Sequence, residues 1–266
     1  MCERSARASR RPDVVRLALI IALFGLPVIM LLTSSLSARG AATLTLRAWR
    51  YLFAERRTFL TALASSLGYG FSAMVVAFAS SVLPAKALAR AHGSRIAVVE
   101  AILLAPALLP SITFAIGVHQ LFIRAGLVDT WIGVLLVLSF VSYPYMLRAL
   151  IASYESIDPA YEQCARNLGA GALRTFVRVE LPFLLPGAVA GGSVVFLVAF
   201  SDYFLVFLIG GGIVPAFTSY LVPFIRSADY SIAGALSLVF LLVPVVLFVL
   251  QDRALTVLLR RRGMAV

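Results

Sequence analysis

Six long apolar runs divide the chain, and short polar or glycine- and proline-rich stretches separate them. Six of the stretches that carry no Asp, Glu, Lys or Arg are 18 to 28 positions long and unbroken enough for a span, and they cover residues 17–38, 58–85, 101–123, 130–147, 181–201 and 230–251. A helix rises about 1.5 Å per residue, so about 20 apolar residues cross a hydrocarbon layer of about 30 Å. The runs lack the polar faces of amphipathic helices. The pattern therefore predicts an all-α polytopic membrane protein with six transmembrane helices.

The stretches between the runs predict several shorter elements. Ser37–Thr58 mixes aromatic side chains with arginines, which favours a short outer helix at the membrane interface. Pro106 and Pro110 fall in the third span and Pro144 in the fourth, so we expect kinks there. Leu205–Ile225 is apolar but broken by glycines and prolines, which predicts a short outer helix or a re-entrant turn. We expect the spans near residues 15–36, 60–84, 97–122, 128–150, 187–209 and 231–251.

The fifth span carries small residues at Gly187, Gly191 and Ser193. Transmembrane helices associate largely through close van der Waals packing, so small residues often mark the packing face. We therefore expect another helix to lie close against this part of the span.

Basic residues set the expected orientation. Hydrophobic residues make up 61% of the chain and charged residues 13%, and sixteen of its 23 basic residues fall on the side that holds both termini. Cytoplasmic segments of membrane proteins carry such an excess, so we expect both termini and the loop after the fourth span in the cytoplasm. The net charge of +11 then reflects topology and contact with anionic lipid, rather than nucleic-acid binding.

The N-terminal segment and the cysteines narrow the picture further. Arginines followed by an apolar run also occur in secretory signals, but this run is longer than the usual core of about 7–15 residues. We therefore expect an uncleaved anchor. Cys2 and Cys164 both lie on the predicted cytoplasmic side, so neither a disulfide framework nor a cysteine metal site follows.

The longest polar interruption in the second half of the chain is Asp158–Gly187. Asp158 followed by proline is a good helix start, and Gly169 is placed to end that helix in the left-handed conformation. A second helix is expected over Ala172–Val179, and Leu181-Pro182 is expected to end it. Two short helices joined by a glycine bend would project from the membrane between the fourth and fifth spans.

The residues QCARNLGAGALRTFVRVELP in this loop resemble the cytoplasmic signature of permease subunits in binding-protein-dependent ATP-binding-cassette (ABC) importers. That signature has Glu-Ala-Ala, three residues, glycine, nine residues, isoleucine, one residue and Leu-Pro. Gly169, Val179 and Leu181-Pro182 fall at matching positions without gaps. Gln163 stands where the family usually has glutamate, and Cys164 replaces the first alanine. Glu162 is one residue earlier and points about 100° away on a helix, so the family glutamate's role does not pass to it.

The resemblance implies that the loop inserts into a groove on a separate ATPase subunit and transmits its movement. Small residues at positions 164 and 165 would allow close docking, and arginines would pair with acids on the partner. The alternative is a solvated amphipathic loop that binds lipid headgroups. The residues implied in coupling are Tyr161, Glu162, Gln163, Cys164, Ala165, Arg166, Leu168, Gly169, Arg174, Leu181 and Pro182.

The family resemblance covers residues 58–253 as a permease domain, preceded by a tail, first span and outer loop over 1–57 and followed by a basic tail over 254–266. Within the family, the chain also resembles the second permease of spermidine/putrescine-type systems. VAFSDYFLVFLIGG resembles that family's acidic site in the fifth span. It implies a solute path lined by Asp202, Tyr203 and Tyr143 and a polyamine or other small charged solute. The alternatives are an acid that bonds a neighbouring helix or lies at the headgroup level, an interfacial anchor for Tyr203 and packing for Tyr143.

No segment of the chain carries the G-x-x-x-x-G-K-[ST] phosphate loop, and Lys86, its single lysine, has no glycine cradle. ATP and Mg²⁺ would therefore bind a partner, and the chain itself is not an enzyme. An ion-coupled secondary transporter would need charged groups inside its spans and often shows repeated halves. Here the predicted spans are nearly free of charge, with Asp202 as the exception, and no internal repeat is visible. An integral membrane enzyme would need a convergent polar cluster, whereas His92 and His119 fall on opposite predicted sides.

The sequence thus predicts a permease subunit in the bacterial inner membrane. The implied partners are an ABC ATPase dimer, a second and different permease chain, an extracytoplasmic solute-binding protein and membrane lipid.

Overall fold

A computed structural model describes residues 22–261 apart from residues 24, 39, 40 and 92. Helices predominate, and a short antiparallel pair of strands, β1 (Ser37–Ala38) and β2 (Ala41–Leu44), precedes most of them. The helices are α1 (Gly25–Ser35), α2 (Arg47–Ala54), α3 (Arg56–Arg90), α4 (Ser94–Leu104), α5 (Ser111–Ala125), α6 (Trp131–Glu155), α7 (Pro159–Asn167), α8 (Ala172–Thr175), α9 (Leu181–Ser201), α10 (Phe204–Gly210), α11 (Phe217–Arg226) and α12 (Tyr230–Arg261).

Among the described residues, four helical segments are long and apolar enough to cross a membrane. The bent pair α4 and α5 makes a fifth if it counts as one span. The predicted all-α membrane class is confirmed, with β1 and β2 as a small addition. The start of the predicted first span lies outside the described residues, so the six-span count and the uncleaved anchor stay predictions. The four segments are Arg56–Arg90, Trp131–Glu155, Ala172–Ser201 and Tyr230–Leu258.

Prolines break the predicted third span more sharply than a kink. α4 ends at Leu104, a 3₁₀ turn covers Ala105–Leu108, and the axis bends by 94° before α5. Pro106 and Pro110 lack the N–H that would continue the helix, and Pro110 also restricts the residue before it to an extended conformation. The Tyr143 hydroxyl donates to the carbonyl of Leu103 in this broken region. α6 continues unbroken through Pro144.

The chain forms two compact units. Of the described residues, the first unit contains those up to Arg57 together with Leu221–Val243, and the second contains Thr58–Tyr220 together with those from Pro244 onward. In the first unit, the Arg47 guanidinium pairs with Asp229 at 3.0 Å, which ties α2 to the turn before α12. In the second unit, buried side chains of α3, α6, α9 and α10 form one apolar core.

The expected close packing of the fifth span is confirmed, and its partner is α6. A Cβ added at Gly187 would lie 1.9 Å from Oγ of Ser153, and one at Gly191 would lie 2.8 Å from Cβ of Ala149. These two glycines and the two small residues facing them are each four positions apart, so they share one helix face. Two facing small-xxx-small pairs therefore let the helix backbones approach.

The fifth span ends earlier than predicted. We expected it to reach residue 209, but α9 stops at Ser201 and the chain turns at Asp202 into the separate helix α10. The two short helices α10 and α11 confirm the expected irregular segment before the last span. Ser66 on α3 accepts a hydrogen bond from the backbone N–H of Phe217, and Tyr69 donates to the carbonyl of Pro215. These bonds hold the turn between α10 and α11 against α3.

Candidate functional site

Within the 158–182 loop, α7 begins and ends with local hydrogen bonds, as the sequence predicts. The Asp158 carboxylate accepts from the N–H of Ala160 at 2.8 Å, which caps the helix start. At the other end Gly169 has a φ of +81°. Its N–H bonds the carbonyl of Arg166, and the next N–H bonds the carbonyl of Ala165. This pair of bonds is a Schellman motif, which satisfies carbonyls at the helix end and reverses the chain.

The second helix of the loop does not stop where the sequence predicted. We expected Leu181-Pro182 to end it, but α8 runs through a π-helical turn over Phe176–Glu180 directly into α9. The N–H of Leu181 bonds the carbonyl of Phe176, five residues back. Because a π turn already interrupts the regular bonding ladder, a proline just after it costs less than one in a regular helix.

The outer face of the loop exposes apolar side chains among basic ones. Leu168 is 88% exposed, Leu173 76% and Tyr161 55%. Arg174 and Arg178 are exposed nearby in the sequence. The predicted coupling residues on this exposed side are Tyr161, Gln163, Cys164, Arg166, Leu168, Gly169 and Arg174. This combination is the composition of a docking surface, with apolar contacts surrounded by charge.

The remaining predicted residues face inward, and Glu162 is the most heavily bonded of them. Ala165 and Leu181 are half-buried and Pro182 is buried. The Glu162 carboxylate accepts from Nζ of Lys86 at 2.7 Å and from the guanidinium of Arg90 at 3.3 Å. Burial alone would raise the pKa of Glu162, but these two cations hold it below its usual value. Glu162 is therefore buried and Gln163 exposed, so the two side chains lie on different faces of α7, as their helical positions predicted.

A second buried carboxylate completes this cluster. Glu180 lies 2.7 Å from Nζ of Lys86 and accepts from the Tyr154 hydroxyl at 3.0 Å. Arg90 also donates to the carbonyl of Ile157 at 2.9 Å, just before the loop begins. We call Lys86, Arg90, Tyr154, Glu162 and Glu180 the Lys86 cluster. It contains two cations and two carboxylates, so its charges balance.

The predicted path residues each have local partners. The Asp202 carboxylate accepts from the N–H of Leu205 at 2.7 Å, so it caps α10. Tyr203 stacks on Phe207 with ring centroids 5.6 Å apart, and Tyr143 bonds the broken end of α4. These contacts explain the three side chains structurally, and their place on a solute path stays a prediction.

Three relatives from transport systems match part of the chain. The sulfate transport system permease protein CysT of Salmonella typhimurium is 33% identical over 115 residues, 42% of either chain. The spermidine/putrescine permease protein PotB of Escherichia coli is 32% identical over 35% of this chain and 36% of its own. The molybdenum permease protein ModB of E. coli is 36% identical over 28% of this chain and 32% of its own. The matched segments thus span less than half of each relative, and no protein-family model matches the chain.

Solved structures extend the likeness to nearly the whole chain. A chain of a bacterial ABC transporter that imports the acidic polysaccharide alginate superposes with a TM-score of 0.73 at 17% identity, covering 94% of this chain and 97% of that one. The same kind of transporter bound to a periplasmic protein carrying an alginate pentasaccharide gives 0.69 at 15% identity, covering 99% and 97%. The chain resembles the permeases of ABC importers. This resemblance, predicted from the loop, is confirmed, and the polyamine relative is one of several types with similar identity.

Sequence reasoning missed most of the Lys86 cluster. From the sequence, Lys86 was considered only as a possible phosphate-loop lysine and as a basic residue on the predicted cytoplasmic side. Glu180 falls at a position of the permease signature where any residue is allowed. One available signal was the position of the lysine at the end of a long charge-free run, where a cation needs a nearby partner. The two acidic partners lie 76 and 94 positions later in the chain (residues 162 and 180 against 86), so spacing alone did not identify them.

Proposed function

We propose that the chain is a permease subunit of an ABC importer and that the 158–182 loop couples it to a separate ATPase. The observation that carries this proposal is the exposed outer face of the loop. Leu168 and Leu173 leave apolar surface uncovered on a segment fixed at its base by ion pairs. Such a surface needs a partner, and the likeness to permeases of transport systems supports an ATPase as that partner.

The mechanism we propose is mechanical. ATP with Mg²⁺ binds and closes a dimer of partner ATPases, whose grooves hold the outer face of the loop. The closing movement pulls the loop, and the packed helices of the second unit follow because the loop is continuous with α9. Two permease chains enclose one solute path, which then opens alternately to each side of the bacterial inner membrane. Both termini face the cytoplasm in this arrangement, as the distribution of basic residues predicts.

We further propose a small charged solute as the cargo, delivered by an extracytoplasmic solute-binding protein. The relatives are named for sulfate, spermidine/putrescine and molybdenum transport, and one solved transporter is described with a bound periplasmic protein. A polyamine was the cargo implied by the acidic segment around Asp202. Binding of spermidine, putrescine, sulfate and molybdate to the cognate binding protein, measured by calorimetry, selects among these candidates. Binding of an uncharged or polymeric solute in place of these four would contradict the proposed cargo class.

Two glycines of the loop provide a matched test of the coupling function. Gly169 has a φ of +81°, whereas Gly171 has an ordinary φ of −68°, and a Cβ at either would meet no atom within 4 Å. A valine forced into the left-handed region costs about 1–2 kcal/mol. Gly169→Val should therefore distort the loop and lower ATP-driven transport in proteoliposomes by about tenfold, since 1.4 kcal/mol is a factor of ten. Gly171→Val should transport normally.

Both variants should insert into the membrane like the unaltered chain, which fractionation and detergent size-exclusion profiles check. Equal ATP-driven transport by the two variants would count against coupling through this loop. Uptake driven by an ion gradient in vesicles without any ATPase would instead favour a secondary transporter.

A further inference from the structure

Lys86 connects the two arms of the 158–182 loop through a single atom. Its Nζ lies 2.7 Å from a carboxylate oxygen of Glu162 on α7 and 2.7 Å from one of Glu180 in the π turn. The exposed outer face, including Leu168 and Leu173, lies between these two acids in the chain. Any displacement of that face must therefore act on both ion pairs, and both end at the same residue of α3.

Glu180 is the last residue of the π turn and faces inward. A π turn holds one more residue than an α turn, so the positions before it are shifted by about 100° relative to a regular continuation of α9. Glu180 is buried in this arrangement, while Val177 and Arg178 in the same turn are exposed. The local irregularity thus separates an outer docking side from an inner anchoring side within five residues.

Three further contacts brace the anchor against neighbouring elements. Tyr154 on α6 donates to the second carboxylate oxygen of Glu180. Arg90, one helical turn after Lys86 on α3, bonds both Glu162 and the carbonyl of Ile157. With each carboxylate paired, the cluster avoids the large penalty of an isolated buried charge. The loop is thereby fixed to α3 and α6 rather than only to α9, its continuation in the chain.

We propose that Lys86 is the positioning residue through which movement of the loop reaches α3. The proposal rests on the proposed function and deepens it: the outer face meets the ATPase, and Lys86 passes the displacement to a membrane-spanning helix. A compact ammonium suits this role because it can bond two carboxylates from different directions. Arginine at the same position keeps the charge and should preserve most of the effect.

The first experiment measures the anchor directly in the full chain. A nitroxide label on the exposed Cys164, in a Cys2→Ser background in lipid nanodiscs, reports motion of α7 by electron paramagnetic resonance. Lys86→Met removes the shared cation but leaves two buried carboxylates with only Arg90, which threatens folding. The double variant Lys86→Met/Glu180→Gln avoids that excess charge. Both variants should increase the label's mobility. Lys86→Arg should keep the mobility close to that of the unaltered chain, and Arg148→Met should leave it unchanged.

Arg148→Met is the matched control because it breaks a 2.6 Å ion pair to Glu100 between α6 and α4, away from the loop. The second experiment uses the assembled transporter with its ATPase and measures transport per ATP hydrolysed. The double variant should still bind the ATPase, yet its transport per ATP should fall by about tenfold, within the usual range of coupling between sites. Arginine at position 86 should recover most of this loss.

The outcomes separate the two proposals. Unchanged label mobility in the double variant, or normal transport per ATP, overturns the role of Lys86 while the importer function stands. Failure of the unaltered chain to associate with any ABC ATPase overturns the proposed function itself. Increased mobility together with ATP hydrolysis that no longer drives transport supports Lys86 as the connection.

Discussion

The 158–182 loop and the 202–217 turn begin alike, but they differ in whether their apolar side chains are exposed or buried. Each opens on an aspartate that caps a short helix, Asp158 for α7 and Asp202 for α10. The loop is the more polar of the two, yet it leaves Leu168 and Leu173 uncovered. The turn is mostly apolar, and apart from Phe207 and Ile213 its large apolar side chains are buried or half-buried.

The difference shows why hydrophobicity alone does not identify a docking site. Apolar residues in the turn already have partners within the second unit, so their burial stabilises the fold. Apolar residues on the outer face of the loop gain nothing from the fold, because water still covers them. Under the proposed function a partner chain covers these residues, whereas the inner side of the same loop is satisfied by the Lys86 cluster.

The largest expected effect of a single substitution is a loss of stability at a buried residue of the 202–217 turn. Leu205 in the turn is fully buried. Leu205→Ala should lower the free energy of unfolding by about 2–5 kcal/mol, from lost transfer energy and the cavity left behind. Leu168→Ala should change it by less than about 0.5 kcal/mol. Unfolding in mixed detergent micelles measures both, and equal losses would contradict the assigned burial.

Substitutions of the exposed leucines in the 158–182 loop should weaken association with the ATPase and leave stability unchanged. Leu168→Ser together with Leu173→Ser should weaken binding of the ATPase by about tenfold or more, because a few apolar contacts carry most of an interface's energy. Ile213→Ser is a matched control, since Ile213 is 72% exposed but lies in the turn. Surface plasmon resonance with purified ATPase compares the affinities of the double variant and the control. Equal binding by the double variant and the unaltered chain would remove the loop from the interface.

The smallest expected effect separates the two readings of Asp202. Asparagine caps helices about as well as aspartate, whereas alanine loses about 1 kcal/mol. Asp202→Asn should therefore keep both stability and transport, and Asp202→Ala should lose stability only. Thermal unfolding and uptake assays provide the two readouts. Loss of transport in the asparagine variant with stability intact would instead assign the charge to the solute path.

Local signals predicted the features that depend on neighbouring residues. The Asp158 cap, the Gly169 reversal and the packing face at Gly187 and Gly191 all follow from short-range chemistry. The predicted end of the fifth span at residue 209 and the predicted helix stop at Leu181-Pro182 were both wrong. A capped turn ended the span earlier than its apolar run suggested, and a π turn let the helix continue through the proline. Long-range charge pairing was the part that spacing did not supply.

The account's central claim is that the outer face of the 158–182 loop meets an ABC ATPase. A photoactivatable crosslinker on Cys164, which is exposed on α7, tests it in native membranes of a Cys2→Ser strain. Mass spectrometry should identify an ATP-binding-cassette ATPase as the crosslinked partner, and excess purified ATPase should compete for the product. Crosslinks to lipid alone, in membranes that still take up the solute by ATP-driven transport, would contradict the claim.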